Sequence, residues 1–165
     1  MLIRKTTAAD LPAVLEIYVE ARQFMRDNGN PAQWGDTHPA PEMIALDIEN
    51  GTSYVCEDKG EVTAVFYFSI ERDATYDYIE GAWLNDEPYG VVHRIAARRG
   101  TKGAGTFCLN SAFELCGNLK IDTHVDNVPM RNLLAKLGFV YCGVIWVLGG
   151  SDERIAFQKT RLSVQ

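Results

Sequence analysis

Residues 94–107 read RIAARRGTKGAGTF, and their types and spacing could bind an anion. An apolar stretch (Val91, Val92, Ile95, Ala96) runs into Arg98 and Arg99, then into Gly100, Gly103 and Gly105. A helix-like run follows. Glycines between a strand and a helix let backbone approach a ligand closely. At the helix start, N–H groups without intrahelical partners converge, and the helix dipole adds partial positive charge. Arg94, Arg98, Arg99 and Lys102 concentrate cationic charge here in an acidic chain. The ligand this implies is a phosphate or pyrophosphate. A tight turn on a solvated basic face has the same signature, and the loop alone does not separate the two.

Two common phosphate motifs do not fit. GTKGAGTF lacks the Gly-Lys-Ser/Thr ending of a P-loop. The order Gly100-x-x-Gly103-x-Gly105 is the reverse of the dinucleotide fingerprint G-x-G-x-x-G. Asp122, at the end of the next strand, mimics the ribose-binding acid of that fold. Too few residues follow, however, to complete a dinucleotide-binding sheet.

The elements that must position this loop follow from periodicity. Leu11, Val14, Leu15, Tyr18 and Val19 recur at helical spacing behind Thr7 and Asp10, and Gly29 stops that helix. PEMIALDIENG predicts a short helix opening at a proline. TSYVCED and VTAVFYFSIE, joined across Lys59-Gly60, predict an antiparallel pair. VVHRIAA is a strand, GTFCLNSAFELCGN a helix, LKIDTHV a strand and DNVPMRNLLAKLGF a helix. YCGVIWVLGG and ERIAFQK close the chain as paired strands, a candidate edge for a homodimer. RDATYDYIEGAWLNDEPYG, aromatic and acidic, holds a short strand or turn. The expectation is one α/β domain of the α+β kind over residues 1–165, with a mostly antiparallel mixed sheet flanked by helices.

Composition narrows the class. With 165 residues, 47% hydrophobic and 23% charged, the chain is ordinary globular protein with a sizeable core. A net charge of −6 argues against a nucleic-acid binder. The longest apolar run, VTAVFYFSI, is too short to cross a bilayer, so no membrane partner is expected. MLIRKTTAADL lacks the apolar core of a secretory signal. Cys56, Cys108, Cys116 and Cys142 form no C-x-x-C pair and are expected as buried thiols in a reducing cytoplasm. His38, His93 and His124 are scattered, and no metal site is expected.

HRIAARRGTKGAGTFCLNSAF followed by LKIDTHVDNVPMRNLLAKLGF resembles the GCN5-related N-acetyltransferases (GNAT). In that family a strand leads into (Arg/Gln)-x-x-Gly-x-(Gly/Ala) and a helix. A strand, a helix-opening Asn and a closing Gly-Phe follow. Gly103-Ala104-Gly105, Asn127 and Gly138-Phe139 match this order, and IRKTTAADLPAVLEIY is similar to the family's first strand and helix. The resemblance implies acetyl-coenzyme A as co-substrate. Its pyrophosphate would lie on the N–H groups of Lys102, Gly103, Ala104, Gly105 and Thr106. Its pantetheine arm would pair with backbone at Ile95, Ala96 and Ala97 and meet Asn127. Two positions depart from the family: Gly100 replaces the motif Arg/Gln, with Arg99 one place earlier, and Leu134 stands where many members carry a Tyr acid.

Acetyl transfer to an amine requires that a proton be removed, because a primary amine with a pKa near ~10 is mostly protonated at neutral pH. Glu80 and His93 are the candidate bases, and Tyr141 is the hydroxyl nearest the Leu134 position in sequence. Tyr141 is equally read as a strand residue packing its ring. The expected acceptor is an amine on a small molecule or a peptide. Gln33, Trp34, Tyr76, Tyr78, Trp83 and Tyr89, with Asp73, Asp77, Asp86 and Glu87, would form its pocket. The alternative is a catalytically silent coenzyme A-binding domain, which the loss of the Tyr at Leu134 keeps open.

Overall fold

The computed structural model describes residues 1–161. The chain opens with strand β1 (Leu2–Lys5) and enters helix α1 (Leu11–Asp27) through a short 3₁₀ turn at Ala8–Asp10. The Thr7 N–H donates to the Asp10 carboxylate at 2.7 Å, and Arg4 donates to the same group at 2.7 Å, tying β1 to the helix start. Val14, Ile17, Tyr18 and Ala21, the buried stripe of α1, meet Val55, Val65 and Ala96 of the sheet. Helix α2 (Pro41–Glu49) begins at its proline, where a missing N–H costs nothing.

Strands β2 (Ser53–Asp58) and β3 (Glu61–Ile70) form the expected antiparallel hairpin. Its turn residues Lys59 and Gly60 both have positive φ, as a two-residue hairpin turn requires. The aromatic-acidic segment contains a 3₁₀ turn (Ala74–Tyr76) and the two-residue strand β4 (Glu80–Gly81). Then come β5 (Gly90–Ala97), α3 (Ala104–Cys116), β6 (Asn118–Thr123), α4 (Val128–Lys136), β7 (Val140–Val147) and β8 (Asp152–Thr160). β6 ends at Thr123, so His124 and Val125 of LKIDTHV lie in the turn before α4 rather than in the strand.

The eight strands make one sheet in the order β1-β2-β3-β5-β6-β8-β7-β4, and only β5–β6 is parallel. The mixed, mostly antiparallel sheet expected from the sequence is therefore present. α3 and α4 cover one face, where Cys108, Leu109, Ala112 and Leu134 pack with Phe66, Val92, Ile121 and Phe157. α1 covers part of the other. The outer edge of β7 carries β4 only at Gly143 and Val144. Cys56, Cys108 and Cys142 are buried; Cys116 is only half-buried, because it closes the last turn of α3 at the sheet's end. Among the described residues no helix is long and apolar enough to cross a membrane.

One irregularity positions the site. β5 and β6 are paired only at Gly90↔Leu119 and Val91↔Lys120 and then part. Beyond Val91, the edge of β5 facing β6 has no strand partner among the described residues. The two strands open a gap near the middle of the sheet.

Candidate active site

A bulge in β5 produces this divergence. Val65 pairs with Ala96 and Tyr67 with His93, so Arg94 and Ile95 together oppose Phe66. The extra residue bends the strand. Arg94 takes it up at φ 50°, a left-handed conformation costing about 1 kcal/mol for a side-chain-bearing residue. Three contacts hold it there. Its carbonyl accepts from the Tyr18 hydroxyl at 2.8 Å; its guanidinium donates to Asp47 at 3.0 and 2.8 Å and lies 4.7 Å from the Tyr67 ring centroid.

Arg94 therefore points away from the glycine loop, and the cationic cluster read from the sequence is largely neutralised. Arg98 pairs with Glu20 at 3.1 Å and Glu16 at 3.6 Å; the Arg99 side chain pairs with Asp27 at 2.7 Å. The Arg99 N–H also donates to Glu20 at 2.8 Å. Of the four cations, only Lys102 has no acidic partner among the described residues. The acids come from one face of α1, which crosses the loop. An anion bound here would have to be held chiefly by backbone N–H groups. Gly103 caps α3 at φ 79°, and the N–H groups of Ala104, Gly105 and Thr106 open the helix with no intrahelical acceptor. A Cβ at Gly100 or Gly103 would meet no atom within 4 Å, so φ alone dictates glycine there and the space beside it is open.

From this loop an apolar groove of about 300 Å³ runs along β5 between α1 and α4. Ile95, Ala96, Ala97, Gly105 and Asn127 line it, as the resemblance implies. Lys102, Gly103, Ala104 and Thr106 do not; they form the turn and helix start beside it, with Ala104 fully buried. The Asn127 side chain is committed elsewhere: its Oδ1 accepts from the Met130 N–H at 3.2 Å and its Nδ2 donates to Gln33 at 3.0 Å.

Beyond Ile95 and Asn127 the groove meets a second cavity of about 530 Å³, which shares Met25, Ile95, Asn127 and Met130 with it. Here a network centres on His93. Its Nε2 lies 2.7 Å from Asp73 Oδ2, and its Nδ1 lies 3.9 Å from Asp122 Oδ1. Asp73 also accepts from the Thr75 hydroxyl at 2.6 Å and the Thr75 N–H at 2.9 Å. Burial alone would raise the Asp73 carboxyl; the hydrogen bonds from His93 and Thr75 and the His93 charge overcome it and hold Asp73 at about 2. The buried Tyr76 hydroxyl donates to Asp122 Oδ1 at 2.6 Å, leaving Asp122 Oδ2 without a protein partner among the described residues. Burial first, and then the Asp122 charge, push the Tyr76 phenol well above its ordinary value, so it is a fixed donor.

The other sequence candidates fall outside this network. Glu80 is exposed on the edge strand β4, paired with Val144, and lines neither cavity. Tyr141 is 56% exposed with its ring against Phe157, and it too lines neither cavity. Leu134 is fully buried in the core, while its neighbour Leu133 borders the groove. The position resembling the family's Tyr therefore does not face the ligand space. Of the expected acceptor-pocket residues, Gln33, Trp34 and Asp73 line the cavity. Tyr76 and Tyr89 act from behind it, on Asp122 and on the Asp73 N–H. Tyr78 lies tilted against Trp146, and Asp77 pairs with Arg72. Trp83 and Tyr89 enclose the Lys120 ammonium at 4.2 and 3.9 Å. Sequence reasoning gave no role at this site to Asp122, His38 or Arg154, all cavity-lining. Asp122 carried a signal: Lys120 and Asp122 alternate with Leu119 and Ile121, which puts two charges on one face of a central strand.

Two cavities are thus joined at one splayed strand, one apolar and one bearing a His–Asp network, an arrangement with room for two substrates. The family model for the acetyltransferase (GNAT) family matches residues 11–139, and the chain belongs to that family. A GNAT-family acetyltransferase structure from Streptococcus agalactiae is 30% identical with a TM-score of 0.88, covering 98% of this chain and 96% of that one. Two more distant structures share the fold. The ribosomal-protein-alanine N-acetyltransferase of Brucella melitensis is 21% identical (TM-score 0.66; 97% and 99% covered). The phosphinothricin acetyltransferase of Sinorhizobium meliloti, solved with acetyl-CoA, is 22% identical (TM-score 0.65; 96% and 86% covered). No curated protein sequence matches the chain.

Proposed function

We propose that the protein transfers the acetyl group of acetyl-CoA to a primary amine, with His93 as the base. The observation that carries this is the position of His93, between Asp73 and Asp122, in the cavity that meets the cofactor groove at Ile95 and Asn127. The groove fits coenzyme A by its character: an apolar channel along an unpaired strand edge, leading to open space at a helix start. Acetyl-CoA supplies the activated acyl group; the remaining steps belong to the chain's own residues.

In the tautomer that donates Nε2–H to Asp73, the His93 Nδ1 lone pair is open toward Asp122. An ammonium held by the free Asp122 Oδ2 would then present a proton to Nδ1. As His93 takes that proton, Asp73 stabilises the imidazolium. We assign the Ile95 N–H, lifted from the regular ladder by the bulge, as donor to the developing oxyanion. α4 contains no hydroxyl residue, so the thiolate leaves without a side-chain acid, its pKa near ~8.5 making that tolerable. Glu80 and Tyr141 have no part in this scheme.

The test is thiol release from acetyl-CoA against a panel of amines, for the wild type and His93→Gln. Amine-dependent release that falls roughly 10²-fold in kcat in the variant, with the KM for acetyl-CoA unchanged, is expected. Coenzyme A binding without release for any amine would instead indicate the silent binding domain.

A further inference from the structure

The acceptor cavity has two poles, and the proposed reaction uses only one. The acidic pole is Asp73 and Asp122 around His93. The opposite pole, formed by the 28–40 loop and β8, presents two rings whose nitrogens lack partners among the described residues and an arginine with one weakly used nitrogen. Trp34 lines the cavity, is 9% exposed, and its indole N–H has no hydrogen-bond partner among the described residues. An indole nitrogen can only donate. His38 lines the same wall with its ring edge-on to Trp34, and neither ring nitrogen has a partner among the described residues. Arg154, 7% exposed, pairs with Asp152 through Nη1, but its Nη2 reaches only the Gln33 carbonyl at 3.5 Å. Burial first, and then the charges of Arg94, Arg154 and Arg22, hold the His38 imidazole below its ordinary pKa.

We propose that the acceptor is an amino acid-type molecule, its amine held between His93 and Asp122 and its carboxylate received by Trp34, His38 and the Arg154 Nη2. An amine without an anionic group would leave the Trp34 indole and the His38 ring desolvated and without a partner, which is unfavourable wherever water is displaced. A carboxylate gives Arg154 a charge-assisted bond and gives the indole its only acceptor. A peptide N-terminus has no carboxylate beside its amine, so the same wall disfavours peptides. The volume of about 530 Å³ suits a small molecule.

This inference rests on the acetyl-transfer reading, and its test separates the two. Binding is measured calorimetrically to the protein saturated with coenzyme A, so that turnover is not needed. The probes are the twenty L-amino acids with β-alanine and 4-aminobutyrate, each paired with its primary carboxamide. For at least one pair the carboxylate member should bind tenfold or more tightly than its carboxamide. Arg154→Gln and Trp34→Phe should each erode that preference, and Trp34→Phe removes one N–H without disturbing an ion pair. Equal affinity within every pair, no binding by any member, or a preference that survives both substitutions overturns the proposal. An amino acid that binds with this preference but releases no thiol from acetyl-CoA would instead overturn the acetyl-transfer reading and leave the carboxylate subsite standing.

Discussion

The Arg94–Asp47 pair should matter to the site more than to the fold. Both side chains are largely buried, 17% and 11% exposed, and burial pushes the Asp47 carboxyl above its ordinary value even beside the Arg94 charge. Desolvation therefore offsets most of the attraction. Asp47→Asn leaves the guanidinium without a counter-charge. Breaking a buried pair from one side costs 3–5 kcal/mol in general; residual exposure and stacking on Tyr67 reduce this to about 2 kcal/mol. Replacing both partners, Asp47→Leu with Arg94→Met, removes both charges and should return stability to within about 1 kcal/mol of wild type. The bulge, however, loses its anchor. A methionine at φ 50° retains the Tyr18 hydrogen bond to its carbonyl but no ion pair, so the strand can relax toward a regular ladder and narrow the opening between β5 and β6. Urea unfolding should show loss in the single variant and recovery in the double. Coenzyme A affinity and thiol release should fall at least roughly tenfold in both, a loss of about 1.4 kcal/mol. A double variant with wild-type stability and wild-type coenzyme A binding would refute the idea that this pair shapes the site.

Asp73→Asn should lower kcat roughly 10²-fold and remove an acid-side stability slope. The Asp73 pKa is depressed to about 2, so its contribution, on the order of 2 kcal/mol, is complete above about pH 4 and disappears as pH falls through 2; urea titrations from pH 2 to 5 with and without Asp73 measure it. Lys120 gives a slope of the same sign at alkaline pH, although there it is the charged form that folding disfavours. Burial pushes its ammonium down to about 8, so between pH 8 and about 10.4 the unfolded chain binds more protons and stability rises with pH; Lys120→Met should remove up to about 3 kcal/mol of that rise, and identical slopes would contradict the burial argument. Gly103→Glu should weaken coenzyme A binding far more than Arg99→Ala, because it combines a strained positive φ with a negative charge at the helix start, whereas Arg99 is already paired with Asp27. Equal losses by calorimetry would move the phosphate site away from the glycines.

Local physics made much of this protein legible from its sequence. The α1 stripe of Val14, Ile17, Tyr18 and Ala21, the Lys59-Gly60 turn, Gly103 ahead of α3 and Asn127 ahead of α4 each depend on residues within a few positions of one another, so periodicity and turn chemistry suffice. His93 was legible as a candidate, though not in preference to Glu80. The tertiary structure decided what depends on partners far apart in the chain. Arg98 and Arg99 look like free cations until α1 brings Glu20 and Asp27 onto them. Arg94 looks like part of that cluster until the bulge turns it toward Asp47, 47 residues away. Glu80 and His93 looked equivalent, and sheet order separated them: β4 sits on the outer edge, whereas β5 is central. The same order brings Asp73 and Asp122 to opposite sides of one imidazole. A strand's alternation states which residues share a face, but not which strand will lie beside it, and the proposed site is built from that adjacency.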